Sequence, residues 1–358
     1  MRFPDLLRTT ATLVLALAAA LLCAWLRTPI PWMIGPLLAT SLASVLGAPT
    51  RSWPPLRNAS QWVIGSALGL YFTPQVTALI AGVWWAILLA VVWALALGWG
   101  FGRWLHHRHA ERIGGDPLGR WATTYFSGAI GGASEMTLLA EREQGRSDLV
   151  AAAHTLRLVI VTLLVPFVFL YSGLHGIDPS LPGARTVNWG GLALLGAATA
   201  AGAWLLARTG RANPWFMGAL LTSMGITVAG MELSAMPAPL SNAAQLLIGV
   251  SLGVRFQREF LHAAPRWLFD VVMGTVGMVL LCAGFAFLLG WATKIHPATL
   301  VLGTSPGGIA EMAITAKVLQ LGVPVVTAFQ VCRLVAVLVL VEPLYRWVGP
   351  RGTGGAPG

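Results

Sequence analysis

Long runs without a charged residue recur along the whole chain, and they constrain its fold more than any other feature. Thr73 to Gly102 and Val271 to Thr293, for example, contain no Asp, Glu, Lys or Arg. A run of about 18 or more apolar residues is long enough for an α-helix to cross the roughly 30 Å hydrocarbon core of a bilayer. Charged residues make up only 10% of the 358 residues, against about 25% in a typical soluble domain. The sequence therefore predicts an all-α integral membrane protein.

The chain is basic, with a formal net charge of +10. Its arginines are spread between the apolar runs instead of forming one patch, as is typical of positively charged cytoplasmic loops. Nucleic-acid binding is therefore not expected. The longest basic stretch, Arg103 to Arg120, has the composition of a loop. Cys23, Cys282 and Cys332 lie within apolar runs and indicate no disulfide framework.

The two halves of the sequence contain four matching motifs in the same order. In the longest motif, nine of seventeen positions are identical and the alignment needs no gap. Four such matches cannot come from composition alone, so the sequence predicts an internal repeat. The matching pairs are Pro31–Leu38 and Pro214–Leu221, Leu56–Phe72 and Leu240–Phe256, Gly131–Met136 and Gly307–Met312, and Arg157 and Arg333.

Each half is predicted to form six apolar segments. The fifth segment differs from the others, because it contains a Gly-Gly pair, hydroxyl residues and a glutamate. Helices interrupted in this way line cavities or re-enter the membrane. We expect a first membrane repeat at 1–172, a second at 188–347 and a flexible tail at 348–358. The segments are 8–26, 31–48, 58–72, 76–102, 121–141 and 149–171 in the first half, and 188–207, 214–230, 241–256, 267–292, 297–317 and 323–347 in the second.

Loop charges predict how the two halves are oriented. Arginines follow the second and fourth segments of the first half, whereas in the second half they follow the third segment. Because Lys and Arg concentrate in cytoplasmic loops, this change of pattern indicates opposite orientations. Opposite orientations require five crossings per half, so we predict two inverted repeats with about ten transmembrane helices and two re-entrant or interrupted segments. Both termini would be cytoplasmic, and the protein would lie in the bacterial inner membrane.

Ionisable residues inside the apolar segments are the main candidates for function, because a charge at membrane depth costs roughly 2.5 kcal/mol or more and usually faces a cavity or a partner. Glu135 and Glu311 each follow a Gly-Gly pair, and a half-helix that starts there would direct its positive end inward. Arg157 and Arg333 could neutralise these glutamates or hold a substrate carboxylate. A Glu–Arg pair that only joins two helices is the structural alternative. Glycines and hydroxyls nearby complete this candidate site: Gly131, Gly132, Ser134, Ser305, Gly307 and Gly308.

Two pairs of amide side chains are further candidates for ligand binding. Asn58 and Gln61 are three residues apart and share a helix face, and they are repeated as Asn242 and Gln245. Hydrogen bonding between membrane helices is the alternative role for such amides. Asp270 has no acidic counterpart in the first half, so its role stays open. Close helix packing is predicted at the small-xxx-small pairs, which are Gly65 with Gly69 and Gly249 with Gly253.

Three of the paired motifs resemble those of the AbrB-type bacterial membrane protein family. They are the doubled Gly-Gly-x-x-Glu-Met element, the doubled Asn-Ala-x-Gln-x-x-Ile-Gly-x-x-Leu-Gly element and the two Pro-Trp-x-x-Gly starts. The resemblance covers nearly the whole chain, and the family is variously described as regulators of gene expression or as ammonia monooxygenases. More distantly, the chain resembles the cation/proton antiporter and anion transporter superfamily, whose members use inverted five-helix repeats with interrupted helices. The resemblance implies a transporter without naming its substrate.

Two functional classes fit this sequence. The first is a secondary transporter of a small, anionic organic solute, coupled to a proton or sodium. The second is a membrane-embedded ligand sensor or regulator of gene expression that moves nothing, and the lack of a soluble output module favours transport. Oxygenase chemistry needs clustered His and carboxylate ligands, which the apolar segments lack. We therefore expect no enzymatic activity, metal or cofactor. The expected partners are the lipid bilayer, the solute and a second copy of the chain in a homodimer.

Overall fold

A computed structural model of the chain describes residues 3–114, 116–173, 176, 186–210, 213–256 and 265–349, and most of these residues are helical. No β-strand occurs in these ranges, and the all-α prediction is confirmed. The predicted tail lies almost entirely outside them. The helices are α1 (Phe3–Trp25), α2 (Pro31–Val45), α3 (Pro54–Gly69), α4 (Pro74–Gly82), α5 (Trp84–Ile113), α6 (Pro117–Gly128), α7 (Ala133–Arg142), α8 (Ser147–Ser172), α9 (Trp189–Arg208), α10 (Pro214–Val228), α11 (Ala238–Gly253), α12 (Pro265–Thr293), α13 (Pro297–Thr304), α14 (Ile309–Val318) and α15 (Val323–Val348).

Among the described residues, six helices are long and apolar enough to cross a bilayer, namely α1, α5, α8, α9, α12 and α15. Helices α2 and α10 have 15 residues each, and α3 and α11 have 16. At about 1.5 Å per residue these four helices are roughly 22 to 24 Å long, which is shorter than the hydrocarbon core. The chain therefore has the helices of a multi-pass membrane protein. The ten predicted crossings need the four shorter helices as well, so that number stays a prediction.

The predicted fourth segment of the first half, 76–102, is wrong as a single helix. The structure divides it into α4, which begins at Pro74, and α5, which begins at Trp84. The axis of α4 is bent by 86° from that of α3. Thr73 caps the start of α4 through its side chain. The helix ends at Gly82, a residue type with low helix propensity.

The prediction of a loop at Arg103–Arg120 is also wrong for most of that stretch. Helix α5 continues to Ile113, because residues 103–113 contain no Gly or Pro that would end it. Gly114 then has a φ of 70°, a backbone conformation that glycine adopts readily. Basic and aromatic residues are therefore compatible with a helix that continues beyond the apolar run.

The extended part of α5 provides the partners of Asp270 on α12. Arg108 Nε donates to Asp270 Oδ2 at 2.9 Å, and His109 Nε2 lies 2.6 Å from the same oxygen. Both His109 and Asp270 are buried. This cluster joins the fourth segment of one half to the fourth segment of the other.

The fifth segment of each half is interrupted, as predicted. Residues 129–132 separate α6 from α7, and residues 305–308 separate α13 from α14. The backbone is extended on both sides of each break. Each break therefore leaves carbonyl groups at one helix end and amide groups at the next helix start without intrahelical partners.

The helices pack into two bundles, and each bundle takes helices from both halves of the sequence. Bundle A contains α1, α2, α3, α9, α10 and α11, whereas bundle B contains α5 to α8 and α12 to α15. Close backbone contacts between the bundles are few and are made mainly by α14 and α15 against α3, and buried apolar side chains of both bundles form one continuous core. Helix α4 contacts α10 of bundle A and α15 of bundle B. The two sequence halves are thus interleaved in space.

Close glycine contacts in bundle A join the two halves of the sequence. Gly65 of α3 lies against the backbone of Phe216 and Leu220 in α10. Gly249 of α11 lies in the same way against α2, where a Cβ on the glycine would be 2.5 Å from the Met33 carbonyl oxygen. The predicted packing role of these glycines is confirmed.

Replacing Gly65 by Ala is expected to destabilise the protein, because the added methyl group would meet the Phe216 carbonyl and overpacking typically costs about 1 to 3 kcal/mol. Gly100→Ala on α5 is the matched control, since nothing lies within 4 Å of the added Cβ there. Thermal unfolding of the purified variants measures the difference. Equal melting temperatures for the two variants would contradict the close contact between α3 and α10.

Candidate functional site

A cavity of about 180 Å³ lies at the breaks of both interrupted helices. Bundle B contributes residues 130–135 and 306–311, together with side chains from α8 and α15. Bundle A contributes the start of α3, the start of α10 and the end of α11. The cavity is therefore lined by both bundles and by both halves of the sequence.

Arg157 of α8 binds the backbone where α6 ends. Its guanidinium donates to the carbonyl oxygens of Ser127, Gly128 and Ala129 at 3.2, 3.3 and 2.8 Å. These carbonyls belong to the helix end, where intrahelical partners are missing. The positive charge also complements the negative end of the α6 dipole. Arg157 thus stabilises the first break.

Arg333 of α15 does the same at the second break. Its guanidinium donates to the carbonyl oxygens of Ser305 and Gly307 at 2.6 and 2.9 Å. Gln330, one turn earlier, donates through Nε2 to the carbonyls of Leu302 and Ser305 at 2.7 and 3.1 Å. The end of α13 is therefore held by two buried side chains of one helix.

His154 takes the place of Gln330 at the first break. Its Nε2 lies 2.8 Å from the Phe126 carbonyl, and its Nδ1 lies 2.8 Å from Arg157. Because a guanidinium can only donate, Nδ1 must accept and Nε2 must carry the proton, so the ring is neutral. The offset of 176 that relates the two arginines also places His154 on Gln330 and Phe126 on Leu302. Two different side chains therefore make the same bond in the two halves.

Glu135 and Glu311 are stabilised by helix starts and not by arginines. Each is the third residue of a half-helix, α7 or α14, whose N-cap is Gly132 or Gly308. The carboxylate folds back over that glycine and occupies the space that a Cβ there would need. It thereby faces the positive end of the half-helix. Glu311 is only 7% exposed, whereas Glu135 is half-buried.

The predicted Glu–Arg pairs do not form. In the part of the chain that the structure describes, no ion pair joins Glu135 or Glu311 to Arg157 or Arg333. The physical reason is that the arginines use their donors on backbone carbonyls, while the carboxylates lie at the half-helix starts. Each charge is thus balanced by a helix end of opposite sign.

Most of the predicted site residues line the cavity. Ser305 does not, since it contributes its carbonyl to Arg333 and its hydroxyl donates back to α13. Of the four predicted amides, only Gln61 lines the cavity. The start of α3, which holds Gln61, reaches the cavity, whereas the start of α11, which holds Asn242 and Gln245, does not. Asn58 is also outside the lining. The predicted residues in the lining are Gln61, Gly131, Gly132, Ser134, Glu135, Arg157, Gly307, Gly308, Glu311 and Arg333.

Five polar lining residues were not predicted as site residues: Arg57, His154, Asn213, Ser251 and Arg255. Asn213 is the N-cap of α10 and has a φ of 47°. Arg57 and Arg255 count in the sequence only as loop charges, and neither is conserved between the two halves. One signal in the sequence could have identified Arg57 and Arg255. Arg57 lies at the start of one copy of a repeated motif and Arg255 at the end of the other copy. If the two copies pack in opposite directions, this start and this end lie close together.

The fold and site define a class, namely multi-pass helical membrane proteins with a charged cavity between two interrupted helices. Among the described side chains, no group of three or more His, Cys, Asp or Glu is placed to hold a metal ion. Sequence comparison identifies the family. The chain belongs to the AbrB family, described as "Transition state regulatory protein AbrB", whose model matches residues 32–349. The resemblance predicted from the paired motifs is confirmed.

Two relatives have sequences similar to most of the chain. "Uncharacterized protein YhjN" of Bacillus subtilis (strain 168) is 24% identical over 348 residues, which cover 88% of this chain and 87% of the relative. "Putative regulator AbrB" of Escherichia coli (strain K12) is 25% identical over 327 residues, which cover 89% of this chain and 90% of the relative. The similarity extends over both halves of the molecule.

Arg333→Ala is expected to destabilise the protein by about 2 kcal/mol or more, because it leaves two buried carbonyl groups without a donor. Arg346→Ala is the control, since that exposed arginine pairs only with Glu342 and such pairs contribute less than about 1 kcal/mol. Thermal unfolding in detergent compares the two. A melting temperature for Arg333→Ala equal to that of the control would show that the second break does not depend on this side chain.

Proposed function

We propose that the protein is a secondary transporter that moves a small organic anion across the bacterial inner membrane. The charged cavity at the two interrupted helices carries this proposal. Four arginines and two glutamates line the cavity, so its charged side chains favour an anion. Its volume of about 180 Å³ suits a small solute. Discontinuous helices that meet at a binding cavity are typical of secondary transporters.

Two inverted repeats are supported by the packing of α3 and α11, which contain the two copies of one motif. Arg57 lies near the start of α3 and Arg255 follows the end of α11, yet both line the same cavity. Because α3 and α11 also pack against each other, they run in opposite directions. The loop charges predict the same relation. We therefore propose five crossings per half, with both interrupted segments re-entrant.

The proposed transport step is a movement of bundle B against bundle A. The cavity is lined by both bundles. Few close backbone contacts join one bundle to the other. A shift between the bundles would therefore expose the cavity first to one side of the membrane and then to the other. Arg57, in the first turn of α3, and Arg255, just after α11, line the cavity beside loops that the charge pattern assigns to the cytoplasm, so we propose that the cavity faces the cytoplasm.

Glu135 and Glu311 are the proposed sites of ion coupling. Both line the cavity at half-helix starts, and among the described residues neither forms an ion pair with an arginine. Such a carboxylate can take up a proton or lie beside a sodium ion as the cavity opens and closes. No enzymatic step is part of this proposal.

A membrane-embedded sensor is the second candidate function. The family description and the name of the Escherichia coli relative both use the language of regulation. A sensor would bind the anion in the same cavity without moving it. Counterflow of a labelled anion in reconstituted vesicles separates the two candidates, because only a transporter exchanges solute across the bilayer.

Cysteines placed at Arg112 and Gly173 are expected to react with a membrane-impermeant reagent from opposite sides, with position 112 on the cytoplasmic side. Helix α8 is the one full crossing between them if the interrupted segment is re-entrant. Labelling in intact cells and in inverted vesicles provides the measurement. Reaction of both cysteines from the same side would overturn the inverted-repeat topology.

Glu311→Gln and Glu135→Gln are expected to fold normally but to lose the stimulation of anion uptake by a proton or sodium gradient, because the amide keeps the shape of the side chain and removes its charge. Uptake of radiolabelled acetate, succinate or citrate into reconstituted vesicles, with and without each gradient, measures this. Glu342→Gln is the control, since that glutamate is partly exposed and pairs with Arg346 on the same helix. Unchanged gradient dependence in both site variants would show that the two glutamates are structural.

A further inference from the structure

We propose that Arg57 and Arg255 form the site that recognises a carboxylate group of the transported anion. The inference rests on the proposed function and deepens it by naming the recognition residues. Both arginines belong to the side of the cavity formed by bundle A. The sequence itself favours Arg157 and Arg333 for this role, but their donors already bind backbone carbonyls.

Arg57 and Arg255 line the same cavity. Arg57 is close enough to affect Arg255 electrostatically, and within the described residues neither side chain forms a hydrogen bond or an ion pair. The Nε of Arg57 is buried and has no acceptor. A buried donor without an acceptor is costly, and like charges in a partly enclosed site repel each other. An anion bound between the two guanidinium groups would offset both effects.

The local charge balance also favours an anion. Glu311 is an oppositely charged neighbour of Arg255, but the two do not form an ion pair. The charged side chains that line the whole cavity are four arginines and two glutamates, an excess of two positive charges. A carboxylate bound there would reduce this excess.

The chemistry of the site fits a carboxylate with a polar remainder. A guanidinium presents a fork of donors that matches the two oxygens of a carboxylate. Gln61, Asn213 and Ser251 line the same cavity and offer amide and hydroxyl groups. The contact from Gln61 Nε2 to Asn213 Oδ1 is 3.5 Å, which is long for a hydrogen bond, so both amides retain capacity for a ligand. We therefore expect small carboxylates that carry a second polar group.

The site exists on one side of the protein only. By the alignment of residues 56–72 with 240–256, Arg57 corresponds to Ser241 and Arg255 to Tyr71. The two corresponding positions at the other end of the repeat pair thus carry no cation. Under the proposed topology the carboxylate site faces the cytoplasm.

The test is ligand-dependent thermal stability of the purified, full-length protein at pH 7 and constant ionic strength. Acetate, succinate and citrate are the probes, succinamide is the uncharged control, and inorganic phosphate tests the alternative anion chemistry shared by lipid headgroups. Binding to the folded state raises the melting temperature in a saturable way. Succinate or citrate should do so for the wild type, whereas succinamide should not.

Arg57→Gln and Arg255→Gln should each raise the apparent dissociation constant about tenfold or more, as expected for the loss of a charged donor. The Lys variants keep the charge without the fork and should lose less. Arg103→Gln, an exposed arginine of α5, should bind as the wild type does. Each variant is compared with its own ligand-free melting temperature, and gel filtration confirms folding. Any of three results would overturn the site. These are wild-type-like binding by both Gln variants, the lack of a saturable shift of the melting temperature with any carboxylate, and stronger stabilisation by phosphate than by the carboxylates.

Counterflow of the same carboxylates in vesicles distinguishes this inference from the proposed function. Binding that depends on Arg57 and Arg255, without any exchange across the bilayer, would support the site and reject transport. Exchange by the wild type that persists with unchanged affinity in both Gln variants would support transport and reject the site.

Discussion

A helix can break inside a membrane protein only if its free backbone groups find partners, because the hydrocarbon core offers no water to bind them. In this protein a buried arginine satisfies the carbonyl end of each break, and a glutamate lies at the amide end of the next half-helix. The glycine at each N-cap leaves the space that the carboxylate occupies. The cavity therefore depends on side chains that first stabilise the backbone and only then shape a binding site.

The two bundles are held together internally by different contacts. Bundle A relies on glycines that bring α3 against α10 and α11 against α2, without side chains between the backbones. Bundle B relies on buried polar groups, including the cluster of Arg108, His109 and Asp270 that joins α5 to α12. Between the bundles close backbone contacts are few, and apolar side chains of both form one continuous core. The charged cavity thus lies at the contact between the two bundles.

The sequence predicted the features that are local and repeated. The Gly-Gly-x-x-Glu elements located both breaks, and the small-xxx-small pairs located the close helix contacts, because each feature is written in neighbouring residues. The arginines were misassigned because a sequence shows charges of opposite sign but not the backbone carbonyls that compete for a guanidinium. Arg57 and Arg255 were missed because they are not repeated. The mixing of both halves in each bundle follows from tertiary packing, which no local pattern specifies.

The small number of close backbone contacts between the bundles affects how the family can diversify. When two arrangements of rigid bodies differ by few contacts, a change of about 1.4 kcal/mol alters the ratio of their populations tenfold. Single substitutions on α3, α14 or α15, away from the cavity, are enough to supply such a change. Under the proposed function, relatives that share only about a quarter of their residues over most of the chain are expected to keep the fold while differing in the side of the membrane to which the cavity is open at rest.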